Sequence, residues 1–172
     1  MKRLFLVAIA TVGFAFSGTA QDTKMKVGVD FGIPMGDIKD ATSFNLGVNG
    51  AYMWNVGEGF DAGIGISYNT YMSKEVEYFD FNTMQIEKAK GDNVSFLPIY
   101  GTANYSFTEN IFAGADLGYA VVLAPSGADG GVFYQPKVGY QAEKFEVYLG
   151  YKAVAVSGGA FTSLNLGFNY KF

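Results

Sequence analysis

The sequence predicts an all-β fold: eight antiparallel strands that run up and down and close into a transmembrane barrel, behind a cleavable leader. Three observations predict it. After residue 20, apolar and polar residues alternate with period two through most of the chain, the mark of strands with two unlike faces. Charged residues within those stretches fall on one face only. Glycine is abundant, 23 residues of 172, and aromatic residues make up 17%, which favours strands over helices.

The first element is the leader. Lys2 and Arg3 precede an apolar run, Leu4 to Phe16, and Gly18-Thr19-Ala20 supplies the small residues of a cleavage site. This is the pattern of a secretory signal peptide, residues 1–20, and the run is short for a membrane anchor. Cleavage after Ala20 leaves residues 21–172 as one domain, with 10 Lys, no Arg and 16 Asp+Glu, a net charge of −6. No nucleic-acid role is expected of an acidic chain without Arg. Cys is absent, so an exported chain must be stable without disulfides.

The strands follow in order. Met25, Val27, Val29, Phe31 and Ile33 alternate with Lys26, Gly28, Asp30 and Gly32. Phe44 to Trp54 and Phe60 to Asn69 repeat the pattern, with Gly47, Asn49, Asp61, Gly63 and Gly65 on the polar face. The fourth strand spans Phe96 to Phe107, the fifth Phe112 to Val121, the sixth Val132 to Gln141 and the seventh Phe145 to Ala153. The eighth is Leu164 to Phe172. Pro98 and Pro136 lack a ladder donor and are expected near strand ends or bulges. Tight turns at 55–59, 108–110 and 142–144 alternate with mostly longer loops at 36–43, 72–93, 123–131 and 155–159. Short turns at one end and longer loops at the other suit a membrane barrel, and an even strand number puts both termini, periplasmic, on the short-turn side.

The charged strand residues decide which face is outside. Lys26, Asp30, Asp61, Asp116, Lys137, Glu146, Lys152 and Lys171 share the glycine-rich face, and the opposite face carries no charge. Glycines among large residues fit the inside of a narrow barrel, and an apolar face fits lipid. Aromatic residues form two belts, one beside the short turns (Tyr52, Trp54, Phe60, Tyr105, Phe107, Tyr140, Phe145, Tyr170, Phe172) and one toward the loops (Phe31, Phe44, Tyr68, Tyr119, Tyr134, Tyr151), as at membrane–water interfaces. The last strand must pair back with the first, because lipid tolerates no open edge.

The leader, the eight alternating strands and the terminal "GFNYKF" resemble the small outer-membrane β-barrels of the OmpX and OmpA type. The resemblance covers the whole mature chain and rests on patterns rather than on a catalytic motif. It implies the outer membrane of a Gram-negative bacterium, with outer-membrane lipid as surroundings. No further periplasmic domain of the peptidoglycan-binding kind is expected, since the sequence ends at the eighth strand, and a monomer is expected, since a closed barrel needs no partner to satisfy its backbone. The resemblance implies that Leu164, Leu166, Phe168, Tyr170 and Phe172 form the signal read by the barrel-assembly machinery. The absence of Arg from the lumen departs from many relatives.

No His and no Cys are present. This removes a Ser-His-Asp triad, a Cys–His nucleophile and a His-based zinc site, so no enzyme activity, metal or cofactor is expected. The inward charges balance, four Lys against four carboxylates, whereas a selective pore carries rings of one sign. Asp61 and Asp116 are expected to pair with inward Lys. Tyr71, Tyr100, Phe112, Phe133 and Tyr148 add bulk inside. The expectation is a plugged barrel with a structural or surface-interaction role. The alternative is a small porin-like channel or a transporter of a small, apolar ligand; a soluble ligand-binding barrel is a third class, told apart by extraction with salt or alkaline carbonate. Loop 72–93 reads as a hairpin above the membrane, a solvated cap or an edge to which an extracellular protein adds a strand.

Overall fold

The computed structural model describes residues 23–80, 85–125 and 127–172; the leader lies outside them. Eight strands close into a barrel: β1 (Thr23–Met35), β2 (Thr42–Gly57), β3 (Phe60–Ser73), β6 (Val94–Ser106), β7 (Ile111–Ala124), β8 (Gly131–Gln141), β9 (Phe145–Val156) and β10 (Gly159–Lys171). A separate hairpin, β4 (Glu75–Asp80) with β5 (Gln85–Lys90), stands between β3 and β6 in the chain. Every pairing is antiparallel, and β10 closes on β1 from Lys26↔Lys171 to Met35↔Thr162.

The register sets the barrel's dimensions. One circuit of directly paired residues starts at Met25, passes Tyr52, Ile64, Gly101, Leu117, Tyr134, Ala153 and Thr162, and returns to β1 at Met35. The circuit thus climbs 10 residues, from 25 to 35. With eight strands, this stagger tilts them by about 40° and gives a backbone radius of about 8 Å, room for side chains and little else.

Outward residues are apolar and exposed, among them Ile33, Leu117 and Leu166, while inward residues are buried. The inside is filled by a lock of large residues over glycines. Tyr100 lies over Gly65 and Gly118, Tyr148 over Gly167, Asn165 over Gly32, and Asp30 with Asn69 over Gly47; a Cβ at any of these glycines would collide with the side chain above it or its backbone. The five bulky residues expected inside, Tyr71, Tyr100, Phe112, Phe133 and Tyr148, are all buried.

Two expectations need correction. Pro136 is the sixth residue of β8, not at its end. Its missing N–H opens the β8–β9 ladder after Tyr134↔Ala153, and pairing resumes at Lys137↔Gly150 in the same register, a gap rather than a bulge. Pro98, the fifth residue of β6, lies as expected beside a register shift, at Ser95/Phe96 on the β7 side, and it opens the β3–β6 ladder between Ile66↔Ile99 and Asn69↔Phe96. Each proline keeps a partner on its other side, Ala120 or Ala115. The second correction is at 155–159: β9 and β10 are joined by a tight turn at Ser157 and Gly158, the latter with φ of 92°, and β10 starts at Gly159 rather than Leu164.

The hairpin continues the barrel wall. β3 and β6 last pair at Tyr71↔Val94, and β4 and β5 first pair at Glu75↔Lys90, which is the same register resumed. Six residues per strand add about 20 Å to that ladder. Its base is tied down: Ser73 N–H donates to Asn93 Oδ1 (3.0 Å), Ser73 Oγ to the Asp92 carbonyl (2.6 Å) and Lys74 Nζ to the Lys39 carbonyl (2.7 Å). Residues 81–84 lie outside the described residues.

Candidate functional site

The candidate site is the lumen, built in two layers. The lower layer, toward the short turns, is ionic. Lys26 Nζ donates to Glu146 Oε2 at 2.6 Å, and Asn169 Nδ2 holds Oε1 at 2.7 Å. Lys137 Nζ donates to Asp116 Oδ1 at 2.7 Å and lies 5.7 Å from the centre of the Tyr148 ring. Lys152 Nζ donates to Asp30 Oδ1 at 2.5 Å and also to Asn69 Oδ1. Asn165 Nδ2 reaches the same Asp30 oxygen at 2.5 Å and Asn45 Oδ1 at 2.8 Å.

Topology explains these meetings. Lys26–Glu146 and Lys152–Asp30 are separated by 120 and 122 residues, yet both pairs bridge β1 and β9 across the single strand β10. The glycine lock flattens the wall between them. Buried charges are tolerated because each is paired, and Asp30, Glu146, Lys137 and Lys152 are further hydrogen-bonded.

The upper layer is apolar. Tyr71, Phe96, Phe133, Val154 and Ala120 are buried together under the loops, with Phe161, Val122 and Val156 packed on them. Phe96 and Phe161 meet edge to face at 5.0 Å, and Tyr71 lies 5.5 Å from Phe161. Tyr71 also links the layers: its hydroxyl shares a hydrogen bond of 3.1 Å with Ser163 Oγ, which donates to Asn165 Oδ1 at 2.6 Å.

Of the eight charged residues read from the sequence, six form three buried ion pairs: Lys26–Glu146, Lys137–Asp116 and Lys152–Asp30. The other two, Asp61 and Lys171, do not pair with each other. Asp61 lies at the short-turn mouth, bonded by Asn55 at 3.1 Å and paired with Lys24 at 3.5 Å. The sequence reading left Lys24 out, although it has the same parity as Lys26, so its four-to-four balance is not the balance of the lumen. Lys171 sits half-buried at the same mouth with no ion pair among the described residues. Also missed are Phe161 in the cap and the roles of Asn45, Asn69 and Asn165; the asparagines already had inward parity. Among the described residues no group of three His, Cys, Asp or Glu could hold a metal ion.

The terminal residues alternate as expected from parity: Leu164, Leu166, Phe168 and Tyr170 face outward, Phe172 is exposed, and the Phe172 N–H donates to the Met25 carbonyl at 2.9 Å.

No family model matches the chain, and no curated protein matches it. Among solved structures it is similar to a de novo designed transmembrane β-barrel, with 14% identity, a TM-score of 0.51, and coverage of 90% of this chain and 98% of that one. It is similar too to Ail, the attachment invasion locus protein of Yersinia pestis, with 11% identity, a TM-score of 0.56, and coverage of 87% and 97%. The fold is that of the small transmembrane barrels. At such identity the likeness is one of architecture.

Proposed function

We propose that the chain is an integral outer-membrane protein of a Gram-negative bacterium, a closed and plugged monomeric barrel that presents its loop side, above all the β4–β5 hairpin, for surface interaction. One observation carries this reading. An apolar cap lies over three buried ion pairs, and the polar cavity among those pairs has a volume of only about 20 Å³. That is room for a water molecule and not for a hydrated ion file. The apolar outer surface supports placement in lipid, with both termini in the periplasm and the closing strand as the part read by the assembly machinery. The lack of His and Cys supports a non-enzymatic role.

The test is conductance of the refolded mature chain in planar bilayers, after heat-modifiable gel migration shows that it has folded. Silence agrees with the plug. Stable unitary steps overturn it in favour of a small channel. The hairpin role is tested separately: removing residues 74–90 abolishes adhesion of cells that display the barrel to an extracellular protein surface, and unchanged adhesion rejects strand addition at that edge.

A further inference from the structure

Among the described residues, two buried side-chain atoms in the lumen make no hydrogen bond to a protein group, Asn49 Nδ2 and Asn169 Oδ1. One is a donor and the other an acceptor. Both residues line the same small polar cavity. Both are also register partners of one residue, Gly28: Asn49 faces it from β2 and Asn169 from β10. With two strand spacings between them, their backbones stand about 10 Å apart across a residue that has no side chain. Gly28 must stay bare, since a Cβ there would collide with Asn169 Oδ1.

Leaving a donor and an acceptor buried and unsatisfied is costly, and native interiors resolve such cases with a bound partner. The chemistry of the site selects that partner. It must accept from Asn49 and donate to Asn169. A cation cannot accept from Asn49 and would meet the Lys26 ammonium in the same cavity. An anion cannot donate to Asn169 and would meet Glu146, which Asn169 already holds. A neutral molecule that both donates and accepts is required, and a volume of about 20 Å³ admits one of water's size.

We propose that the lumen holds one structural water over Gly28, accepting from Asn49 Nδ2 and donating to Asn169 Oδ1. Ser67 lines the cavity and pairs with Asn49 across β2 and β3. Its oxygen accepts from Asn69 at 2.9 Å, which leaves its own proton for the water as a third bond. The water then joins two networks that have no other link over Gly28. Asn169 belongs to the Lys26–Glu146 pair, and Ser67 leads through Asn69 to Lys152 and Asp30.

The experiment is a water-selective rotating-frame NMR measurement on the labelled, full mature chain refolded in micelles. The expected result is a dipolar cross-peak between the water resonance and the Asn49 side-chain amide protons, present in the wild type and lost on Asn49→Leu at the Asn169 amide as well. Asn49→Ser, which can still donate, keeps the water signal at Asn169. The wild-type spectrum decides even where a variant does not fold. Absence of the Asn49 cross-peak in a folded spectrum overturns the proposal. So does a contact showing Asn49 Nδ2 bonded directly to Asn169 Oδ1.

Discussion

Replacing Lys152 by Met tests whether the barrel is held together from inside. Lys152 is buried with 2% of its side chain exposed, and so is its partner Asp30. The substitution removes the 2.5 Å ion pair to Asp30 and the bond to Asn69 Oδ1. Asp30 keeps the Asn165 amide but no cation. Deleting one partner of a buried pair costs about 3–5 kcal/mol, because the other charge is left uncompensated. The expected loss is therefore about 4 kcal/mol, near a thousandfold in the folding equilibrium. The companion is the double variant Lys152→Met with Asp30→Asn, which keeps shape and removes both charges. It is expected to recover at least half of the loss, since neutral replacements of buried pairs are often harmless. The assay is equilibrium urea unfolding of the refolded chain in lipid vesicles, read by gel mobility and by fluorescence. A single-variant loss below about 1 kcal/mol, or a double variant as unstable as the sum of its singles, refutes the argument.

Other consequences are open to simpler measurements. Gly65→Ala puts a methyl against the Tyr100 ring and is expected to cost about 1–3 kcal/mol. Gly50→Ala, whose Cβ meets only the Lys26 carbonyl at 3.8 Å, is expected to be neutral or slightly stabilising, and equal urea midpoints for the two variants would contradict the lock. Leu117→Arg, at a position 64% exposed on the outer face, is expected to destabilise by about 2–4 kcal/mol in vesicles and far less in a soft detergent, a contrast that vanishes if that face meets water. Removing Phe172 is expected to lower the amount of folded barrel in cells while leaving refolding of the pure chain in micelles nearly unchanged; equal losses in both would make the residue structural rather than a signal.

The strand phases were legible because parity is a robust code. Once Lys26 and Asp30 are read as inward, Gly28, Gly32 and every second residue follow, and the same logic holds in all eight strands. The partners were less legible. Asp61 meets Lys24 and Asp30 meets Lys152 because of shear and strand order, and neither is written in a single strand. Phe161 escaped notice for a different reason. The "GAFTS" stretch is small and polar enough to read as loop, and only its pairing with β9 makes it strand. Pro136 misled through a sound rule applied too strictly: it loses one donor, and a barrel strand with two neighbours can spare it on one side.

The shared register of the hairpin and the β3–β6 ladder has a mechanical consequence. A pull on the hairpin tip draws β3 and β6 in the same direction, so the ladder between them carries little shear. The load spreads sideways into β2 and β7, where pairing is unbroken from Phe44 to Asn55 and from Phe96 to Ser106. The gap at Pro98 thus falls in a seam that carries little of that load.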